Sequence, residues 1–337
     1  MAGPAILAGL AAAALAWNFA DGGAPPSLDA IWDKLLWPLL RLLGFLGVGL
    51  LIGQAVESSG WATRLSVLAR PLMRWGRLGA ESGTAFTTAF LSATTANAML
   101  MTFNQEGKIS HREMWLSYLV NSGLPVFLLH LPTTFFIVVP ITRSAGVAYL
   151  AIQLVSACMR SLGFLLVSRL SFPAREAASS PPEKPPAKGM AKGILEKFRR
   201  RFTRVVFYAV PIYVLIFAVN EHGFFDWLRE AAAGWVSSEF LPVEAASVVV
   251  FSIAAEFTSG IAAAGALLDA GALTTEQTVL ALVLGSIVAT PIRAIRHQLP
   301  GHAGIFSPRL GLQLLVTSQV LRIASLVAVT AVYLWWV

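Results

Sequence analysis

Nine stretches of this chain are apolar over about the 20 residues that a helix needs to cross a bilayer core. They are 3–20, which only just qualifies, 36–57, 82–102, 114–140, 146–170, 205–220, 244–268, 277–306 and 308–336. Composition agrees: 56% of the residues are hydrophobic and 13% charged, where soluble domains carry about 25% charged residues. The chain therefore reads as an all-α integral membrane protein. A disulfide scaffold is excluded, because Cys158 is the sole cysteine. Disorder is excluded for most of the length by the apolar content. Segment 3–20 lacks a basic lead-in, so it reads as an anchor helix and not as a cleaved signal peptide.

The net charge of +7 is local. Residues 173–204 hold nine Lys/Arg against Glu176, Glu183 and Glu196, which is +6 of the total. Beside apolar spans, such a run reads as a cytoplasmic loop in contact with anionic lipid headgroups. No nucleic-acid partner is expected, since the run has little aromatic interleaving and no recognisable module. Its Pro-rich part, 179–188, reads as an extended linker. Four regions follow: an N-terminal anchor helix and loop (1–30), a first repeat (31–172), the basic linker (173–204) and a second repeat (205–337).

The repeat rests on four landmarks in order. Ala55-Val-Glu-Ser-Ser-Gly-Trp61 matches Ala218-Val-Asn-Glu-His-Gly-Phe224, and Ser92-Ala-Thr-Thr-Ala-Asn97 matches Glu256-Phe-Thr-Ser-Gly-Ile261. Leu119-Val-Asn-Ser-Gly-Leu-Pro125 matches Leu284-Gly-Ser-Ile-Val-Ala-Thr-Pro291, and Ser156-Ala-Cys-Met-Arg160 matches Ser318-Gln-Val-Leu-Arg322. The offsets are 163, 164, 166 and 162. Repeats of this size are the usual build of secondary transporters. Segment 61–78 carries Arg64, Arg70, Arg74 and Arg77 and no acid, as an amphipathic surface helix would. Its counterpart 222–243 is net acidic. The positive-inside rule then puts them on opposite faces, so the repeats read as inverted.

Inversion needs an odd number of crossings per repeat. The interrupted segments 114–140 and 277–306 are the natural re-entrant hairpins, with tips near Asn121–Pro125 and Ala289–Pro291. Irregular backbone at that depth is tolerated only against protein or a wet cavity. About seven full crossings result, with an added N-terminal anchor contribution, the N-terminus inside and the C-terminus outside. Nine simple crossings with parallel repeats are the alternative.

The stretch Gly47-Val-Gly-Leu-Leu-Ile-Gly-Gln-Ala-Val-Glu-Ser-Ser-Gly60, followed by Leu68-Ala-Arg-Pro-Leu-Met-Arg74, resembles the Gate ("nucleoside recognition") domain family. So does Ala93-Thr-Thr-Ala-Asn-Ala-Met99 with Asn121-Ser-Gly-Leu-Pro125. That family takes in the gate region of concentrative nucleoside transporters, the membrane part of ferrous-iron permeases and the spore maturation membrane proteins. The resemblance implies inverted repeats with re-entrant hairpins and leaves the substrate open. The iron permeases have a cysteine in the gate motif and a GTPase domain. Here Cys158 lies elsewhere and there is no P-loop, which counts against iron.

Ionisable groups inside apolar spans need a partner or a task. Glu256 is a candidate solute or coupling-ion ligand, or one half of a structural ion pair. Thr94, Thr95, Thr258 and Ser259 could add hydroxyls, and Asn97 could donate and accept at the same site. At the expected tips, Asn121, Ser122, Arg293 and His297 would line a positive cavity. Arg160 and Arg322 stand at equivalent places. They read either as cations facing an anionic substrate or as anchors pairing with Glu57, Glu256 or carbonyls. His130 reads first as a packing residue. No metal site is expected, since His297 and His302 lack helical ligand spacing. Enzyme motifs are missing: there is no GxSxG, HExxH, Walker A or GxGxxG after a strand.

The function expected is secondary transport of a small polar solute, anionic or nucleoside-like, by alternating access. A proton or sodium ion is the expected coupling ion, with no cofactor. The alternatives are a non-transporting membrane partner protein resembling the spore maturation proteins and, more weakly, a metal-ion permease. The expected setting is a bacterial inner membrane, with the N-terminus and linker cytoplasmic and a homo-oligomer as a further possibility.

Overall fold

A computed structural model describes residues 71–173, 243–254 and 257–336, with scattered positions between 9 and 51 and between 195 and 215. The described residues are helical, with no strand among them. Four described helices are long and apolar enough to cross a membrane: His111–Pro132, Thr134–Ser171, Thr275–Phe306 and Pro308–Trp336. The chain is a membrane protein on that ground. Most of the apolar segments 3–20, 36–57 and 205–220, of 61–78, of the linker and of the acidic stretch 222–243 lies outside the described residues.

In the first half, α1 (Ala80–Ala89) and α2 (Ala93–Gln105) are joined by a tight turn. Then come α3 (His111–Asn121) and α4 (Leu124–Ser171). The second half repeats the order with α5 (Val243–Ala254), α6 (Phe257–Asp269) and α7 (Thr275–Arg293). A π turn, Ala294–Gln298, leads into α8 (Leu299–Phe306), and α9 (Pro308–Trp336) closes the chain.

The two halves keep register in detail. After α2, Lys108 N–H donates to Phe103 O and Gly107 N–H to Asn104 O, with Gly107 at φ 71°. After α6, Ala272 N–H donates to Leu267 O and Gly271 N–H to Leu268 O, again with Gly271 at φ 71°. Both are Schellman closures with glycine in the left-handed position. They stand 164 residues apart. The next helices start on Ser110 and Thr274, whose hydroxyls accept from Glu113 N and Gln277 N. At the same spacing, Arg143 (φ 52°) and Ser307 (φ 103°) are the sharp reversals of the long helices.

These reversals correct the expected hairpin tips. The chain does not turn back at Asn121–Pro125. There α3 ends and α4 starts on Gly123, with Pro125 in the first turn where its missing N–H costs nothing. Nor does it turn back at Ala289–Pro291, which lie inside α7. The irregularity after Pro291 is the π turn, a bulge in a helix that goes on. The second arm of α4 runs back along the first arm and α3: Ser161 Oγ donates to Val120 O and accepts from Leu124 N, and Arg112 reaches Ser171. A Cβ on Gly123 would collide with Ser161 Oγ and the Ala157 carbonyl, so the packing there requires glycine.

Segments 82–102 and 244–268, read above as single spans, are instead pairs of short helices. Gly79 N and Ser82 Oγ donate to Glu113 at the start of α3, and α2 also ends at that level. The α1–α2 hairpin thus enters and leaves at one end, reaching about 15 Å inward. In the second half, Gly260 of α6 closes onto Ser252 and Val248 of α5.

Each long reversal docks on the other half. The Arg143 tip lies beside the Gly271 turn: Arg143 pairs with Asp269 at 2.7 Å, and Gly265 of α6 packs against Ile141. Around the Ser307 tip, Phe306 and Leu314 share a core with Phe103 and Ile109 at the Gly107 turn. One long helix path therefore runs from the Gly107 turn to the Gly271 turn, and its counterpart runs from the Gly271 turn back.

Candidate functional site

Midway along these opposed paths lies a cavity of about 420 Å³. The first arm of α4 supplies Val126, Phe127, His130, Leu131 and Thr134, after Ser122 and Gly123 at the helix break. The second arm supplies Tyr149, Leu150, Gln153 and Arg160. From the other half come Ser286, Thr290 and Arg293 of α7, His297 and Gln298 of the π turn, and Arg322 of α9. Ser122 and Thr134 bound one lining stretch, and Ser286 and Gln298 bound the other 164 residues on.

The deep wall is a hydroxyl and amide network. Gln153 Nε2 donates to Tyr149 Oη (3.0 Å) and to Ser286 Oγ (3.1 Å). Arg322 Nη2 approaches the same Ser286 Oγ at 3.5 Å. Arg160 Nη1 donates to Ser156 Oγ (2.9 Å) and Ser325 Oγ (2.6 Å). Ser325 Oγ in turn donates to Arg322 O (2.8 Å), so Ser156 supplies the proton in the 2.7 Å Ser156–Ser325 bond. Arg160 is thereby tied through one hydroxyl to the backbone of Arg322. It is 8% exposed, and its Nε has no hydrogen-bond partner among the described residues. Neither arginine has a carboxylate partner among the described residues.

Of the residues singled out from sequence, Ser122, His130, Arg160, Arg293, His297 and Arg322 meet at this cavity. Thr94, Thr95 and Asn97 do not line it. Thr95 is used locally: its N–H and hydroxyl both bond Ser92 Oγ at the cap of α2. Asn97 is buried in α2. Asn121 is 3% exposed, with neither side-chain amide atom bonded, one residue before the lining Ser122. Glu57 and Glu256 lie outside the described residues, as do the side chains of Thr258 and Ser259 in α6.

Sequence reading missed Tyr149, Gln153, Ser286, Thr290 and Gln298. The signal was there in part. Tyr149, Gln153, Ser156 and Arg160 recur at helical spacing as a polar stripe on an apolar helix.

Three proteins of the archaeon Methanocaldococcus jannaschii are similar to the chain. The uncharacterized protein MJ1556 is 25% identical over 306 residues, covering 86% of this chain and 95% of that protein. The uncharacterized protein MJ0871 is 25% identical over 80% of this chain and 84% of its own length. For the uncharacterized protein MJ0880 the identity is 20%, over 85% and 94%. No family model matches the chain, and no solved structure matches it. These relatives are archaeal and lend no support to the bacterial setting expected from sequence.

Proposed function

We propose that the protein is a secondary transporter carrying a small polar solute by alternating access. In this reading the halves are inverted repeats in the membrane. The α1–α2 and α5–α6 hairpins are the re-entrant elements, and the helices of 111–171 and 275–336 cross. The observation that carries it is the position of the cavity. It lies between the ends of two oppositely directed helix paths, and between reversals that dock at opposite ends. Midplane binding at a repeat interface, with broken helices at the site, is the usual architecture of such carriers. The break at Gly123 and the π turn after Arg293 put irregular backbone against this cavity, where it is tolerated.

Solute would meet the Ser286–Gln153 network and the two arginines, and rocking of one half against the other would open each end in turn. A proton or sodium ion is the proposed driving ion. A metal-ion permease has weaker support, because no carboxylate lines the cavity among the described residues and hard cations take oxygen ligands.

The test is uptake into proteoliposomes under an imposed proton or sodium gradient, with a panel of labelled polar solutes. Protein-dependent accumulation of one class, lost in Arg322→Gln, is the expected result. The absence of any protein-dependent flux under either gradient contradicts it.

A further inference from the structure

The first arm of α4 brings the apolar Val126, Phe127 and Leu131 to the cavity beside His130 and Thr134, and the second arm adds Leu150. The second arm and α9 bring Arg160 and Arg322 to the same space. An arginine at membrane depth is costly unless its charge is met. Arg160 is held by two neutral hydroxyls, with Nε bare. Among the described residues Arg322 has the long 3.5 Å approach to Ser286 and no carboxylate, so most of its fork of five N–H donors is uncommitted there. Ser286 Oγ is already engaged by Gln153, Arg322 and Tyr149, so the free donors at this wall are those of Arg322.

We infer that the solute is an amphiphilic organic anion, with a carboxylate or phosphate head on Arg322 and an apolar body against Phe127 and Leu131. The solute supplies a counter-charge for Arg322 that no carboxylate among the described residues provides. A planar guanidinium binds an oxyanion through paired, charge-assisted hydrogen bonds, and a volume of about 420 Å³ suits a small molecule. Arg160 is the positioning residue: through Ser325 it holds the α9 backbone at Arg322. The inference rests on the transport reading only in placing the solute in this cavity.

The test is equilibrium binding to the purified full chain in detergent, read by thermal shift and calorimetry. The probes are benzoate, its neutral counterpart benzamide, inorganic phosphate and phenyl phosphate. A ligand that binds only the folded state raises the apparent Tm. Benzoate or phenyl phosphate should bind, and which of them does identifies the head group. Benzamide should not. Arg322→Gln should weaken binding by about tenfold or more, the loss expected for one charge-assisted hydrogen bond. Arg322→Lys should keep part of it, which controls for folding, and Phe127→Ala should weaken the aromatic probes alone. Equal binding of benzoate and benzamide overturns the anion. Binding of inorganic phosphate with no aromatic anion overturns the apolar contact. No shift with any probe overturns the inference as a whole, while the transport reading is judged separately by access to the cavity from the two faces.

Discussion

Arg143 and Asp269 lie 2.7 Å apart and join the reversal of the first half to the glycine turn of the second. The corresponding reversal, at Ser307, is seated by apolar packing around Phe306. Apolar packing closes both ends, through Val138, Ala145 and Leu273 at one and Phe306 and Ile109 at the other, and the Arg143 end adds the ion pair. The ion pair is exposed, at 70% and 54% for its side chains, so its strength is limited to about 0.2–1 kcal/mol and falls with salt. Asp269→Asn should lower the thermal midpoint only slightly at low salt and not at all at high salt. A salt-independent loss would show that the tip is held otherwise.

Gly107 and Gly271 both sit at φ 71°, and a Cβ at either would meet no neighbouring atom. Only the backbone conformation is at stake. Gly107→Ala and Gly271→Ala should each cost about 1–2 kcal/mol, and the two losses should match. Chemical denaturation of the two variants side by side tests this; a cost at one turn alone would deny their equivalence.

Glu113 is 2% exposed and accepts from Gly79 N and Ser82 Oγ, fixing where α1 starts against α3. Glu113→Gln keeps an acceptor and should be tolerated. Glu113→Ala strands both donors and should cost about 2–6 kcal/mol, seen as a lowered Tm. Equal stability of the two variants would show that the hairpin is anchored elsewhere.

Gly123 faces Ser161 and the Ala157 carbonyl at the helix break. Gly123→Ala should destabilise by about 1–3 kcal/mol through overpacking. Ser161→Ala removes one of the two colliding atoms but also the bonds to Val120 O and Leu124 N. The double variant should therefore be no more stable than Gly123→Ala, and recovery of wild-type stability would contradict this packing.

A spacing near 164 residues was legible in the landmarks, and the glycine turns, helix caps and reversals recur at that spacing. Where the chain reverses was not legible. Gly-Leu-Pro and Ala-Thr-Pro look like helix ends, yet one begins a helix and the other is absorbed by a π turn. The real reversals carry Arg143 and Ser307, side chains that rarely adopt positive φ, so no turn residue marks them. The short hairpins were hidden because Phe90 and Leu91 at the α1–α2 turn are as apolar as the helices. The site was legible where ionisable groups interrupt apolar helices, as at Arg160, Arg293 and Arg322. Motif likeness was the poorer guide: Thr95 completes a helix cap instead of facing the cavity.

Alternating access to one cavity is the central claim, and two-sided labelling tests it most directly. Cys158 is the sole cysteine, so Cys158→Ala gives a clean background for Thr134→Cys and, separately, Gln298→Cys, both at cavity-lining positions. A membrane-impermeant maleimide is applied to right-side-out and to inside-out vesicles. Alternating access predicts that each cysteine reacts from both faces, and that an anion held in the cavity slows both reactions. Reaction of each cysteine from one face only would contradict it.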